Sequence, residues 1–344
     1  MLNKLFEALY NKVIVSIVVK CASTDVYIEL CSKKGTISQV SENFQTLYPT
    51  EEMIAFIDSY IKETPFHYIA FLDTSDDQGA LPSCKKSELS RFYDLTISET
   101  KCFNDEWTYF TSKADINELE KVYNHFDVDF IFSPFLILNN FFQDKIHSTL
   151  AMFILVQDSC ISLAIFDHSK LLYGDHLDME VIGEIDDDLL SHDIEEEMNL
   201  ESSKTNIDLE DIDVIDTIDD IDGLDDFGDI EDLDTLEEID EFSENRDIEE
   251  EFYEAEEEQL EEGSEDSFNE DYQRFSLIQS SLGSYYSDEK YESQFIESVY
   301  IADGVGVSSD LKRYLEEEMF LNIYIRHLDL GMEVVHFVKE ELGL

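Results

Sequence analysis

The sequence predicts an α/β fold of two similar lobes, built from a duplicated unit and interrupted by a long acidic insertion. Two observations carry this. Three short strands followed by helix, strand, helix, strand and helix are written twice along the chain. Between the third strand and the first helix of the second copy lies a block, Glu184 to Asp271, whose composition cannot build a core. The expected organisation is a first lobe over 1–148, the start of a second over 149–183, an acidic low-complexity disordered insertion over 184–271, and the rest of the second lobe over 272–344.

The first copy opens with strand candidates Val13–Cys21, Val26–Cys31 and the weaker Thr36–Val40. A helix follows with Met53, Ile54, Ile57 and Ile61 on one side, then a strand at Tyr68–Leu72. An irregular segment is expected to about Thr108, of which Asp73–Cys84 has the strongest turn chemistry. Cys84 there is a candidate reactive thiol, although only Lys85 and Lys86 stand near it to lower its pKa, and a plain surface loop is the commoner reading. A helix from Ser112 carrying Ile116, Leu119 and Val122 leads to strand Val128–Phe132 and a helix from Pro134.

The second copy has strand candidates Ala151–Val156, Ile161–Phe166 and Lys170–Tyr173, then the acidic block. A helix around Phe275–Leu282 resumes, followed by strand Val299–Ile301, helix Ser309–Met319, strand Ile323–Ile325 and a closing helix near Val334–Leu342. Crossover helices between parallel strands satisfy the right-handed βαβ rule in both copies.

The block holds about 42 Asp and Glu against Lys204 and Arg246, about −40 of the chain's formal −60. Within it, Leu209, Ile212, Ile215, Ile218, Ile221, Leu224, Phe227, Ile230, Leu233, Leu236, Ile239 and Phe242 recur at a strict period of three. On a helix, steps of three wind the stripe around the axis. On a strand, each step flips the face. Like charges at spacings of three and four further oppose a helix. The expectation is an extended arm presenting the residues Ile212 to Ile239 to a basic protein surface. The alternative is a triplet expansion without a role.

Nucleic acid is excluded as a partner by the lack of a basic stripe to neutralise phosphates. The longest apolar runs, Val13–Val19 and Phe130–Leu138, are too short to span a bilayer, so no direct membrane insertion is expected. No signal peptide is read in Met1–Asn11. Five cysteines without a CxxC pair favour a reducing compartment. His168 and His176 with Asp167, Asp175 and Asp178 are a candidate metal cluster, weighed against an exposed hairpin beside an acidic linker. An EF-hand register through Gly223 fails because Ile218 falls where the first Asp must be. Hydrolase elbows, HExxH and Walker A sequences are absent.

Three segments carry a family resemblance. They are Tyr109–Phe142, Leu150–Tyr173 and Glu297–Ile325 (ESVYIADGVGVSSDLKRYLEEEMFLNIYI), together with the duplicated order of elements. The chain resembles the actin-like (RNase H-like) fold, and within it the PilM/GspL-type assembly-platform proteins of type IV pilus and type II secretion systems. The resemblance implies a cytoplasmic scaffold, peripheral at a bacterial inner membrane, whose partners are membrane-anchored platform subunits. It implies that a lobe groove takes a short peptide from such a partner.

An actin-like nucleotide site needs tight turns whose backbone N–H groups hold phosphates. The first turn here is Lys20-Cys21-Ala22-Ser23-Thr24-Asp25 and the second Gln157-Asp158-Ser159-Cys160, both without glycine. Only Asp303-Gly304-Val305-Gly306 keeps glycines, so Gly304 and Gly306 are the candidate cofactor-binding residues, with a tight strand-to-helix turn as the commoner explanation. The same turn, with Ser309 and Asp329, mimics part of a dinucleotide fingerprint that lacks its third glycine. The expectation is no enzyme and no cofactor, ATP with Mg²⁺ being the weaker alternative. Two other roles stay open: a nucleotide-binding actin-like regulator, and an acidic arm that sequesters basic partners.

Overall fold

The computed structural model describes residues 10–62, 64–179 and 265–344, the last with side chains from Glu270. Of the expected disordered insertion 184–271, residues 184–264 lie outside the described residues, and with them all the period-three apolar residues, Leu209 to Phe242.

In the first lobe β1 (Lys12–Val19), β2 (Thr24–Ser32) and β3 (Gly35–Phe44) form an antiparallel meander. Helix α1 (Glu51–Ile61) crosses to β4 (His67–Leu72), which pairs parallel to β1 and to β8 (Phe130–Phe132). The second lobe repeats this with β9 (Leu150–Val156), β10 (Cys160–Asp167) and β11 (Lys170–Asp178), then β12 (Ser298–Asp303) and β13 (Asn322–His327) in parallel. The sheet orders are β3-β2-β1-β4-β8 and β11-β10-β9-β12-β13, the same order and sense twice.

The helices start where side chains can cap them. Thr50 accepts from the Met53 N–H at the start of α1. Ser112 does so for α3 (Lys113–Val122) and Ser133, with Pro134 behind it, for α4 (Pro134–Phe141). Ser308 and Asp329 cap α7 (Ser309–Glu317) and α8 (Leu330–Leu342), and Gly343, left-handed at φ 67°, ends the latter.

Packing is reciprocal. Helix α4, from the end of the first lobe, lies on β9 and β10, while α8, from the end of the second, lies on β1, β2 and β4. Ile14 and Val18 therefore share one core with Phe153, Leu155, Ile137, Val334 and Val338. The outer faces have separate cores: Val13, Val15 and Ile17 under Met53 and Ile57 of α1, and Met152, Ile154 and Val156 under Phe275, Ile278 and Leu311. The central strands are thus buried on both faces, which is why they read as unbroken apolar runs.

Three expectations are corrected. The segment read as irregular to Thr108 forms a three-stranded sheet, β5 (Gln78–Leu81), β6 (Ser98–Phe103) and β7 (Trp107–Ser112), in the order β5-β7-β6. Its strand β6 is mostly exposed and polar, so hydrophobic periodicity could not mark it. Between β5 and β6 lie a four-residue helix α2 (Lys86–Leu89) and a single 3₁₀ turn. Cys84 is no free thiol: it is joined to Cys102 by a disulfide. Strand β11 runs to Asp178 instead of stopping at Tyr173, because its backbone keeps pairing with β10 through the polar stretch Gly174, Asp175 and His176 that hid it from the apolar pattern. Helix α5 (Gln143–Ile146) follows α4, and α6 (Glu265–Ser287) begins inside the acidic block as drawn from composition.

Candidate functional site

The three turns singled out in the sequence meet at the cleft between the lobes. The β1–β2 turn is closed by the Lys20 N–H donating to the Ser23 carbonyl at 2.8 Å, and Lys20 pairs with Asp25 at 2.7 Å. The β9–β10 turn is closed by the Gln157 N–H donating to the Cys160 carbonyl at 3.0 Å. These two turns touch: the Cys21 N–H donates to Asp158 Oδ2 at 2.9 Å, across 137 residues of sequence. A carboxylate from one lobe therefore takes a backbone donor of the other at an exposed turn.

The third turn is also filled from within. Asp303 is buried at the end of β12, and its two carboxylate oxygens accept from the N–H groups of Val305 (3.0 Å), Gly306 (2.7 Å) and Val307 (3.1 Å). At the start of α7 the Ser308 N–H donates to Asp271 Oδ2 at 3.1 Å, and the other oxygen of Asp271 accepts from Arg274 at 2.7 Å. Helix N-termini favour negative charge, and here the chain supplies it.

The candidate residues Gly304 and Gly306 have structural explanations. A Cβ on Gly304 would stand 2.9 Å from the Val156 carbonyl oxygen and 3.1 Å from Leu330 Cδ1, so the strand must be bare there to approach β9 and α8. Gly306 sits at φ +86°, and a Cβ on it would point into open space, so its requirement is conformational. The remaining cleft, about 260 Å³, is lined by Lys20, Asp25, Tyr27, Gly304, His327 and Asp329. Burial, with Glu29 and Asp329 nearby, pushes Tyr27 up to about 12.

Sequence reasoning missed three residues that tie the lobes together. Gly331 brings α8 against β2, where a Cβ would meet Tyr27 Cβ at 2.8 Å, and Gly174 brings β11 against β5, where it would meet Ala80 Cβ at 2.7 Å. Glu29 on β2 is buried and receives Lys339 of α8 at 2.5 Å, with Thr36, Cys31 and Gln39 also donating. Burial pushes the Glu29 carboxyl up, but these donors outweigh it and hold the group below its ordinary value.

The suggested metal cluster does not assemble. His168 lies exposed at the β10–β11 turn against Asp167, while His176 is turned inward between Ser162 (2.9 Å) and Gln78 (3.4 Å). Burial drives His176 down to about 4. Asp175 accepts instead from Tyr173 and Ser281, and among the described residues no group of three or more His, Cys, Asp or Glu could hold a metal ion. A larger cavity, about 670 Å³, lies away from the cleft, between the start of β1, the β2–β3 hairpin and the end of α8; Tyr10, Lys12, Lys33, Tyr68, Lys339 and Leu342 line it. Among the described residues, no helix is long and apolar enough to cross a membrane.

Twin sheets of one strand order, closed by helices exchanged between the lobes, define a duplicated actin-like two-lobed fold. The chain belongs to the family described as a domain of unknown function, DUF8341, whose model matches residues 152–343. A second domain of unknown function, DUF8569, matches residues 10–139. Among solved structures, a Bacteroides thetaiotaomicron protein with actin-like ATPase fold and unknown function is similar at 8% identity and TM-score 0.47, covering 98% of each chain. A PilM-PilN type IV pilus biogenesis complex is similar at 10% identity and TM-score 0.42, covering 96% of this chain and 93% of that one. The Acidaminococcus fermentans (R)-2-hydroxyglutaryl-CoA dehydratase component A is similar at 9% identity and TM-score 0.38, covering 97% and 99%. No curated protein matches the sequence.

Proposed function

We propose that this protein is a non-enzymatic scaffold of a bacterial type IV pilus, type II secretion or DNA-uptake platform, linking membrane-anchored subunits to cytoplasmic components. One observation carries the reading: the backbone donors of Cys21, Val305, Gly306 and Val307 are already taken by Asp158 and Asp303. A nucleotide would have to displace two carboxylates from these donors and bring further negative charge to Asp25 and Asp329. The resemblance of Tyr109–Phe142, Leu150–Tyr173 and Glu297–Ile325 to PilM/GspL-type proteins supplies the system. The cavity beside Tyr10 and Tyr68 offers room for a partner's segment, and the acidic arm suits a basic surface.

The test is a pull-down from native cells with the intact chain and with a deletion of 184–264, leaving α6 whole. Platform subunits recovered with both would support docking by the lobes. Recovery of miscellaneous basic proteins alone, lost on deletion, would favour the sequestering arm. Saturable Mg-ATP binding by calorimetry at micromolar concentration would overturn the reading in favour of the nucleotide-binding regulator.

A further inference from the structure

Cys84 and Cys102 staple the small sheet across its middle strand. Leu81 of β5 and Cys102 of β6 flank the same residue, Thr108 of β7, and Cys84 follows Leu81 by one short turn. The bond closes residues 85–101 into a loop. Residues 98–101 of it pair with β7, and 85–97 are held by side-chain packing. Leu89, Phe92 and Leu95 pack on Leu81 and Phe110, and Tyr93 stacks on Phe110 at 4.5 Å and donates to Asp77. Yet the loop reaches the other lobe: the Phe92 ring lies 5.5 Å from that of Tyr291, in the segment after α6, and Tyr291 in turn packs edge-on against Tyr173 of β11.

The staple is open to solvent, since Cys102 is exposed and Cys84 half-buried. Accessible disulfides are the ones that exchange. The other three cysteines form no disulfide, and two of them, Cys31 and Cys160, are buried with thiols pushed up to about 12 by burial, so they are poor competitors for exchange.

We infer that the Cys84–Cys102 disulfide is a redox-sensitive clasp, reduced by a protein dithiol, that pins the segment 85–97 over the second lobe when oxidised and frees it when reduced. A thiolate of the dithiol attacks Cys102 Sγ, the Cys84–Cys102 bond breaks and Cys84 leaves as a thiolate that takes a proton. The second thiol of the reductant then resolves the mixed disulfide, leaving two cysteine thiols here and one disulfide on the reductant. The three paired strands of the small sheet do not depend on the bond, so reduction loosens the loop without unfolding the sheet. The inference is independent of the scaffold reading.

The test uses the full chain with dithiothreitol as the dithiol. Thiol counting in denaturant should find three free cysteines before reduction and five after. Hydrogen exchange should then quicken about tenfold in 85–97 and in 288–296, with β1 and β4 unchanged. Emission of Trp107, the one tryptophan and buried beside Cys84, should rise as the quenching disulfide is lost. A Cys84→Ser, Cys102→Ser chain should match the reduced protein and ignore dithiothreitol. Five free thiols before reduction would overturn the clasp, and so would exchange in 85–97 that reduction leaves unchanged.

Discussion

Replacing Lys339 by Met should uncouple the two lobes in a pH-dependent way. The Lys339 ammonium, one-quarter exposed at 25%, sits 2.5 Å from a Glu29 carboxylate that is 1% exposed. Removing one partner of a fully buried pair costs about 3–5 kcal/mol; solvent access to Lys339 reduces this to about 2–3 kcal/mol. Glu29 has a folded-state pKa below its unfolded value of 4.5, so its contribution is complete above that value and is lost as pH falls through the folded one. In the Met variant burial is opposed only by Thr36, Cys31 and Gln39, and the carboxyl titrates higher. The stability gap between wild type and variant should therefore be widest near neutrality and shrink below about pH 4.5. Urea denaturation followed by circular dichroism measures it, with Glu29→Gln completing a double-mutant cycle. A gap under about 0.5 kcal/mol, or one that does not change with pH, would refute the assignment of Glu29 and Lys339 as an interlobe ion pair.

Asp271→Ala should cost about 2–3 kcal/mol by leaving the buried Arg274 guanidinium only the exposed Glu270 and the Ser308 N–H without its acceptor, whereas Glu270→Ala should cost under about 0.5 kcal/mol; thermal melts compare them. Gly304→Ala should lose about 1–3 kcal/mol through its clash with Val156, and Gly306→Ala about 1 kcal/mol through its positive φ, both measured with no nucleotide added. His176, neutral and lowered to about 4, takes up its proton more readily unfolded, so stability should fall by about 3 kcal/mol between about pH 6.5 and about pH 4. His176→Gln should flatten that slope in denaturation curves run across the same range.

Most strands and helices were legible because both-face burial writes unbroken apolar runs and single-face burial writes a helical stripe. Val13–Val19 and Ile154 show the first, Met53 and Ile57 the second. The small sheet was not legible: β5 has four residues and β6 turns Glu99, Thr100, Lys101 and Cys102 to solvent, so pairing with β7 holds them and no hydrophobic period records it. The acidic block hid Asp271, whose partners Arg274 and Ser308 lie three and 37 residues on. The sequence showed that glycines were missing from two turns. It did not show that Asp158 answers Cys21, because that contact spans 137 residues. Glu29 carried a weak signal, as a charged residue inside a run of apolar ones.

The cleft turns satisfy their backbone donors from within: Asp303 takes part-buried ones in the second lobe, and Asp158 takes the Cys21 N–H at an exposed turn. Where turns are bare glycine, the donors are left for a ligand, and a ligand's arrival can close one lobe on the other. Here Asp158 reaches from the second lobe to Cys21 in the first, so the same contact that removes a donor also ties the lobes. Glu29 with Lys339, Tyr27 against Gly331 and Ala80 against Gly174 tie them again at separate places. Four contacts across three pairs of elements, two of them between β2 and α8, leave little for a small molecule to contribute by closing the cleft, since a ligand shifts an equilibrium only by its differential affinity for the two states. Closure already encoded in side chains favours a fixed arrangement of the lobes over a ligand-driven hinge. Exchange at the Cys84–Cys102 clasp acts outside the cleft and bears on one further strap, Phe92 on Tyr291, while those four contacts stay in place.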